Sequence, residues 1–211
     1  MSESSLKLIE CPRDGMQGLH TFIPTELKVS YINLLLKCGF DTLDMGSFVS
    51  PKIIPQLNDT AEVLNKIDVD SDTKLLTIVA NRKGATEAIK FDSINYLGYP
   101  FSISETFQQR NINKSIDESM ILLDELYNLV VPKSKELVLY LSMGFGNPYG
   151  DTWSEDLVET WVGKLNANFS PSIIAISDTV GCASPSQVEQ LFKRLNKSFP
   201  EIEFGAHLHV L

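Results

Sequence analysis

The sequence predicts an α/β fold, a parallel (β/α)8 TIM barrel that is incomplete, with about six βα units and a seventh strand. Short β-rich runs alternate with helical stretches along the chain, and the strand runs are mostly continuously apolar, as expected when both faces of a sheet are covered. Polar residues gather where several strands end, which is where such a barrel builds its site. A doubly wound sheet would need fewer strands and a glycine-rich phosphate turn, and no such turn occurs.

The predicted elements alternate without a break. The seven strands are short apolar runs, in order SLKLIE, DTLDMG, TKLLTIVA, SINYLGYPF, ELVLYLSM, SIIAISDT and EFGAHLHV. A helical stretch follows each of the first six, in order PTELKVSYINLLLKCGF, DTAEVLNKI, RKGATEAIKF, SIDESMILLDELYNLVV, SEDLVETWVGKLNANF and SPSQVEQLFKRLNKSF. No linker or low-complexity segment interrupts them, so we expect one catalytic domain over residues 1–211 that lacks its C-terminal part.

Local signals mark the ends and faces of these helices. In the first long helix, one buried face is predicted from the spacing of Leu27, Tyr31, Leu34 and Leu35. Ser115 and Glu118 form a capping box at the start of the fourth helix. Ser154 is the predicted N-cap of the fifth.

Composition excludes several classes of function. The net charge is −9, and no lysine- or arginine-dense run appears, so nucleic-acid binding through a basic patch is excluded. No signal core, transit-type leader or bilayer-length apolar run is present, and we expect no membrane partner. Cys11, Cys38 and Cys182 are widely spaced and odd in number, which predicts free, buried thiols in a reducing cytoplasm.

Two histidines close to each other in the last strand are candidate metal ligands. Strand side chains alternate between faces, so His207 and His209 point the same way. Asp14, just past the first strand, is expected at the same rim. Two imidazoles and a carboxylate suit a divalent metal that still binds substrate oxygens. The alternative is a histidine pair that fills the surface or the core.

Three further charged residues are candidates for chemistry at that rim. Arg13 adjoins Asp14 and is placed to hold an oxyanion, or it pairs with a barrel carboxylate such as Asp178. Asp44 and Asp178 end strands two and six, which predicts acid–base work or the orientation of a metal ligand. An aspartate at such a position is equally a helix N-cap.

The chain resembles the 3-hydroxy-3-methylglutaryl-CoA lyases, which belong to the metal-dependent lyase and Claisen-type synthase barrels. The resemblance covers about residues 6–209, and the motifs that carry it are ECPRDGMQG, SFVSPKIIPQLNDTAEVL, RNINKSIDES, GNPYGD, SDTVG and AHLH, in that order. It implies cleavage of 3-hydroxy-3-methylglutaryl-CoA to acetoacetate and acetyl-CoA, a step of leucine catabolism and ketone-body formation. It also implies a CoA-thioester substrate, with a homodimer as the suggested assembly.

The resemblance assigns roles residue by residue. Asp14, His207 and His209 match metal ligands, and a mixed imidazole and carboxylate set with vacant positions fits Mg²⁺ or Mn²⁺. Arg13 matches the arginine that stabilises the enolate-like thioester oxygen. Gln17 and Ser47 match residues that line the substrate pocket, and Asp178 matches a carboxylate of the active-site mouth. Asp44 departs from the family, in which glutamate is usual at that position.

Other features leave the activity open. The family's last strand and helices, with an asparagine ligand and a cysteine-bearing glycine-rich loop, are not found before Leu211, and Cys182 does not match that loop. We therefore expect little lyase activity from these 211 residues alone. The alternatives are a Claisen-type condensing enzyme that uses acetyl-CoA and a 2-oxo acid, and a non-catalytic remnant that binds a CoA thioester. Arg82, Lys83 and Arg110 either meet CoA phosphates or are solvated surface charges.

Overall fold

The computed structural model describes residues 6–209, so the predicted tail at Val210 and Leu211 lies outside the described residues. The chain forms two compact units, Met1–Leu97 and Gly98–Leu211, and the boundary between them falls inside a strand. The prediction of a single domain stays a prediction. No helix within residues 6–209 has both the length and the apolar character needed to span a bilayer.

The first unit begins with a short strand and a short helix. Its elements, in chain order, are β1 (Ile9–Glu10), α1 (Pro12–Gln17), α2 (Thr25–Leu35), β2 (Thr42–Ser47), a 3₁₀ turn (Pro55–Leu57), α3 (Thr60–Lys66), β3 (Lys74–Ile78), α4 (Arg82–Ala88) and the first half of β4 (Ile94–Ser102). β1 pairs with β2 and β2 pairs with β3, both in parallel. β1 is shorter than predicted because only Ile9 and Glu10 pair with the neighbouring strand.

The second unit continues the alternation. After the second half of β4 it contains α5 (Glu105–Ile112), α6 (Ile116–Val130), a 3₁₀ turn (Val131–Lys133), β5 (Glu136–Ser142), α7 (Glu155–Phe169), β6 (Ile173–Asp178), α8 (Pro185–Ser198) and β7 (Glu203–Leu208). β5 pairs with β6 and β6 pairs with β7, again in parallel.

The strand order confirms the predicted fold class. The strands are hydrogen-bonded in the order β1-β2-β3-β4-β5-β6-β7, with helices between them, as in an incomplete (β/α)8 barrel. Every residue of β2 and of β6 is buried. That burial explains why these strands read as nearly continuous apolar runs. The short helices α1 and α5, of 6 and 8 residues, were not predicted, because periodicity identifies a helix only over a longer window.

The predicted buried face of α2 is wrong. Leu27, Tyr31 and Leu34 are exposed, by 59%, 42% and 64%, and Leu35 is half-buried. The residues that α2 buries are Lys28, Val29 and Ile32. The helix carries two overlapping apolar stripes, and the periodicity alone does not choose between them. The side that is buried also carries the ion pair of Lys28 with Asp59.

The predicted helix caps are confirmed. Ser115 and Glu118 form the capping box of α6, and the Ser154 hydroxyl accepts a hydrogen bond from Leu157 N at the start of α7. A second capping box, Ser184 with Gln187, begins α8. The alternative that Asp178 is a helix N-cap is therefore wrong, because the hydroxyl of Ser184 performs that task.

Substituting Gly84 should destabilise the protein strongly. A Cβ at Gly84 would lie closer to the Phe48 carbonyl oxygen than van der Waals contact allows, so Gly84→Ala forces α4 away from the segment that follows β2. We expect a loss of about 1–3 kcal/mol in the free energy of unfolding, measured by urea denaturation. Gly15→Ala is the control, because a Cβ there meets nothing within 4 Å and alanine favours the helix. Equal stability of the two variants would contradict this packing argument.

Candidate active site

A buried ion pair joins α1 to β2 in the first unit. Arg13, on α1, is 8% exposed, and Asp44, on β2, is fully buried. Arg13 Nη2 donates to Asp44 Oδ2 at 2.5 Å, and Nε donates to the same carboxylate, 3.1 Å from Oδ2 and 3.2 Å from Oδ1. This side-on pairing satisfies a carboxylate that would be costly to bury alone.

The position of Asp44 differs from the prediction in one respect. It occupies the third position of the six-residue strand β2, whereas an end position was expected. The strand continues to Ser47 through a register irregularity between Asp44 and Gly46. Asp44 is bonded to Arg13, so the N-cap alternative is wrong for this residue too.

The remaining contacts of the guanidinium extend along α1. Arg13 Nη1 donates to Asp14 Oδ1 at 2.9 Å and to Gln17 Oε1 at 3.2 Å. Gln17 lies four residues after Arg13, so the helix places both side chains on one face. Three of the residues predicted for the site, Arg13, Asp14 and Gln17, therefore form one hydrogen-bonded group with Asp44.

The other residue predicted from the first unit, Ser47, ends β2 and is buried. Its hydroxyl donates to the Ile78 carbonyl oxygen at 3.3 Å and accepts from Val49 N at the same distance. Thr60 Oγ1 accepts from Ser47 N, and a Cβ at the adjoining Gly46 would meet Thr60 Cγ2 at 2.6 Å. Ser47 fixes the turn after β2, and its contact with substrate stays a prediction.

The cysteines are free, as predicted, but the expectation that all three are buried is wrong. Cys38 and Cys182 are exposed, and Cys11, just before α1, is partly buried. Burial, with the negative charge of Asp44 as the second cause, raises the pKa of the Cys11 thiol to about 12. Cys38 follows α2 and lies between the exposed residues Lys37 and Gly39.

We expect iodoacetamide to discriminate between these thiols. A pKa raised above the usual 9.0 lowers the thiolate fraction at pH 8, so Cys11 should react about 1000-fold more slowly than an ordinary thiol. Its rate should rise about tenfold per pH unit as the pH approaches 12, whereas exposed Cys38 is labelled first. Peptide mass spectrometry after timed labelling measures this order. Labelling of Cys11 as fast as Cys38 at pH 8 in folded protein would contradict it.

The two histidines of the second unit point to a common position. His207 lies in β7 and His209 directly follows it. Their Nε2 atoms are 3.3 Å apart, and the ring of Tyr140 meets His207 edge-on at 5.4 Å between centroids. The alternation of side chains along an extended chain explains why both rings project to one side.

The hydrogen bonding of His209 fits a metal ligand. His209 Nδ1 lies 3.1 Å from the Thr179 carbonyl oxygen, which can only accept, so Nδ1 carries the proton and Nε2 presents its lone pair. Metal–nitrogen bonds of about 2.1 Å place two adjacent ligand nitrogens roughly 3.0–3.4 Å apart. The 3.3 Å between the two Nε2 atoms falls in that range. The donor set of the second unit therefore fits a divalent ion.

Asp178 organises the turn that carries Thr179. It ends β6, as predicted, and is 3% exposed. Its Oδ1 accepts from Cys182 N at 2.9 Å, and its Oδ2 accepts from Ala183 N at 2.8 Å. Both oxygens are engaged with the backbone, which favours the interpretation that Asp178 orients a metal ligand through the turn over acid–base work.

The GNPYGD motif forms an ordered loop, which the sequence did not predict. Asp151 accepts hydrogen bonds from Ser104 Oγ at 2.5 Å and from Thr106 N at 3.0 Å, and these bonds hold the pKa of its carboxyl below the usual value. The exposed Arg110 lies over the Tyr149 ring, 4.8 Å from its centroid. The signal in the sequence was a polar N–P–Y–G–D turn that follows a buried strand.

Comparison with known proteins identifies a family for this chain. The HMGL-like family model matches residues 6–210. The chain belongs to the HMGL-like family. Among its relatives, the hydroxymethylglutaryl-CoA lyase YngG of Bacillus subtilis is 34% identical over 94% of this chain and 66% of that protein. The cytoplasmic 3-hydroxy-3-methylglutaryl-CoA lyase of Homo sapiens is 29% identical over 97% of this chain and 55% of that protein.

Solved structures of HMGL-like lyases share the fold. The crystal structure of the Bacillus subtilis HMG-CoA lyase has a TM-score of 0.90 with 34% identity, and covers 96% of this chain and 68% of that one. An HMG-CoA lyase from Acinetobacter baumannii, in complex with coenzyme A and 3-methylmalate, has a TM-score of 0.89 with 31% identity, and covers 97% and 66%. The chain thus spans between about half and two thirds of the length of the curated relatives named above.

Proposed function

We propose that this chain supplies the arginine and the metal ligands for cleavage of 3-hydroxy-3-methylglutaryl-CoA to acetoacetate and acetyl-CoA. The observation that carries the proposal is the buried Arg13–Asp44 pair beside Asp14, in a chain whose curated relatives are HMG-CoA lyases. Breaking the carbon–carbon bond leaves the acetyl-CoA half as an enolate. A guanidinium fixed in advance is suited to hold that developing oxyanion.

The proposed metal ligands are Asp14, His207 and His209. Asp14 lies in the first unit and the two histidines lie in the second, and each side chain offers one ligand atom. Carboxylate and imidazole together suit Mg²⁺ or Mn²⁺ with positions left for substrate oxygens. When bound, such an ion would supply Lewis-acid chemistry that lowers the pKa of a substrate hydroxyl.

The other residues serve this arrangement through positioning. Asp44 holds two nitrogens of Arg13, so the guanidinium keeps one orientation when the thioester oxygen becomes negative. Arg13 in turn holds Oδ1 of Asp14. Asp178 fixes the turn whose Thr179 carbonyl orients His209. Gln17 and Ser47 are proposed to contact substrate beside this group.

The proposed substrate is a CoA thioester. Support comes from the Acinetobacter baumannii relative, which was crystallised with coenzyme A. A homodimer and a cytoplasmic location stay predictions from the sequence.

The test measures binding and turnover separately. Calorimetry with Mn²⁺ records the affinity for 3-hydroxy-3-methylglutaryl-CoA, and a coupled dehydrogenase assay records acetoacetate. We expect metal-dependent binding, and we expect Asp14→Asn to weaken it about 100-fold while the exposed His20→Ala, as control, leaves it unchanged. Acetoacetate release that stops with EDTA supports catalysis by this chain, and binding without product supports the thioester-binding remnant. An affinity for 3-hydroxy-3-methylglutaryl-CoA that neither EDTA nor Asp14→Asn changes would contradict the proposal.

A further inference from the structure

We propose that Gln56 is a positioning residue for α1, the helix that carries Arg13, Asp14 and Gln17. Its buried amide fixes the loop of residues 18–24 that follows α1, and the Lys28–Asp59 ion pair holds Gln56 itself in place. The inference rests on the proposed function for its consequence, because α1 matters chemically only if Arg13 and Asp14 act on substrate and metal. The contacts of Gln56, Lys28 and Asp59 that carry this inference lie within the first unit.

Both ends of the Gln56 amide are bonded to the loop. Gln56 Oε1 accepts from Ile23 N at 2.9 Å, and Nε2 donates to the carbonyl oxygens of Thr21 at 2.9 Å and of Leu19 at 3.3 Å. The residue is 3% exposed. One side chain thus fixes three backbone groups spread over five residues, at a site that is itself closed to solvent.

Lys28 fixes the backbone of Gln56. This lysine, on α2, is 2% exposed; its Nζ donates to the Gln56 carbonyl oxygen and lies 2.7 Å from Asp59 Oδ1. Thr25 Oγ1 donates to the other carboxylate oxygen, Asp59 Oδ2, at 2.8 Å. The same ammonium stands 4.1 Å from the centroid of the Phe22 ring, inside the loop. Breaking a buried ion pair of this kind leaves an uncompensated charge, so the pair holds one arrangement.

The loop and the turn that carries Gln56 both bear on α1. α1 packs directly on the 3₁₀ turn Pro55–Leu57, and Leu19 N donates to the Met16 carbonyl oxygen at 3.0 Å, where the helix ends. α1 has only 6 residues and no side-chain cap at its N-terminus. A helix this short has little stability of its own, so its orientation depends on what it packs against.

The three hydrogen bonds of the Gln56 amide go to the loop that follows α1, so we infer that Gln56 acts through the position of α1. Displacing α1 moves Arg13 and Asp14 together relative to Asp44 on β2. The SFVSPKIIPQLNDTAEVL motif accordingly supplies Ser47 at the end of β2, and it also supplies Gln56 and Asp59, which hold the loop after α1.

The experiment compares Gln56→Met with Thr73→Val in the full chain. Methionine keeps the length of glutamine and removes all three hydrogen bonds of the side-chain amide. Thr73→Val is the matched control, because it removes one partly buried hydrogen bond, from Thr73 Oγ1 to the Phe40 carbonyl oxygen, at a distance in sequence from α1. Hydrogen exchange by mass spectrometry measures local opening, and Mn²⁺ titration followed by electron paramagnetic resonance measures metal affinity.

We expect Gln56→Met to speed exchange at least tenfold in peptides covering residues 11–24 and to leave peptides of β2 and β3 unchanged. We expect its Mn²⁺ affinity to fall about tenfold, whereas Thr73→Val changes neither quantity. Unchanged exchange in residues 11–24, or equal acceleration across the first unit, overturns the positioning role. Localised acceleration with unchanged Mn²⁺ affinity also overturns it. If the unsubstituted chain binds no Mn²⁺, the proposed function fails, and exchange alone then decides whether Gln56 positions α1.

Discussion

Arg13→Met is expected to lower the free energy of unfolding by about 3–5 kcal/mol, because it leaves the fully buried Asp44 carboxylate without its cation. Arg13→Met should also abolish acetoacetate formation wherever the unsubstituted chain shows that activity, because the enolate oxygen loses its hydrogen-bond donor. Urea denaturation followed by circular dichroism measures the first effect. The second is read from the coupled assay.

The double variant Arg13→Met/Asp44→Leu separates the two effects. Replacing both partners by apolar side chains removes the unpaired charge, so we expect most of the lost stability to return while activity stays absent. Arg13→Lys tests the geometry, because an ammonium cannot reproduce the contacts of Nε and Nη2 with one carboxylate. Full stability of Arg13→Met on its own would refute the structural role given to this pair.

His207→Ala and His209→Ala are each expected to weaken Mn²⁺ binding by about 100-fold or more, since each removes a proposed ligand. His209→Ala removes the side chain that the Thr179 carbonyl orients, and His207→Ala removes the partner whose Nε2 lies 3.3 Å away. Titration of Mn²⁺ monitored by electron paramagnetic resonance gives the affinities.

The third histidine of the chain provides the control. His20 is exposed, in the loop between α1 and α2, and His20→Ala should leave Mn²⁺ affinity unchanged. Both site variants should keep their unfolding midpoint without metal, because His207 is only half-buried and His209 is exposed. An equal loss of affinity in all three variants would point to non-specific imidazole binding and against the ligand assignment.

The local order of the chain could be predicted from the sequence because the signals are local. The seven strands appear as apolar runs, and Ser115 and Ser154 begin helices because the hydroxyl of each accepts from the backbone N–H three residues further along the chain. Free cysteines were likewise expected from an odd number of widely spaced residues. The motifs identified the family without any coordinates, and the HMGL-like match over residues 6–210 agrees.

The partners of the side chains were decided by the tertiary structure. The sequence left Arg13 free to pair with a carboxylate such as Asp178, and the fold brings it to Asp44, 31 residues away. The inward face of α2 includes Lys28, whose ion pair with Asp59 no helical periodicity encodes. Helix caps depend on neighbours within one turn, so the sequence predicts them. Which distant groups share a buried charge depends on how the elements pack, and only the folded chain settles that.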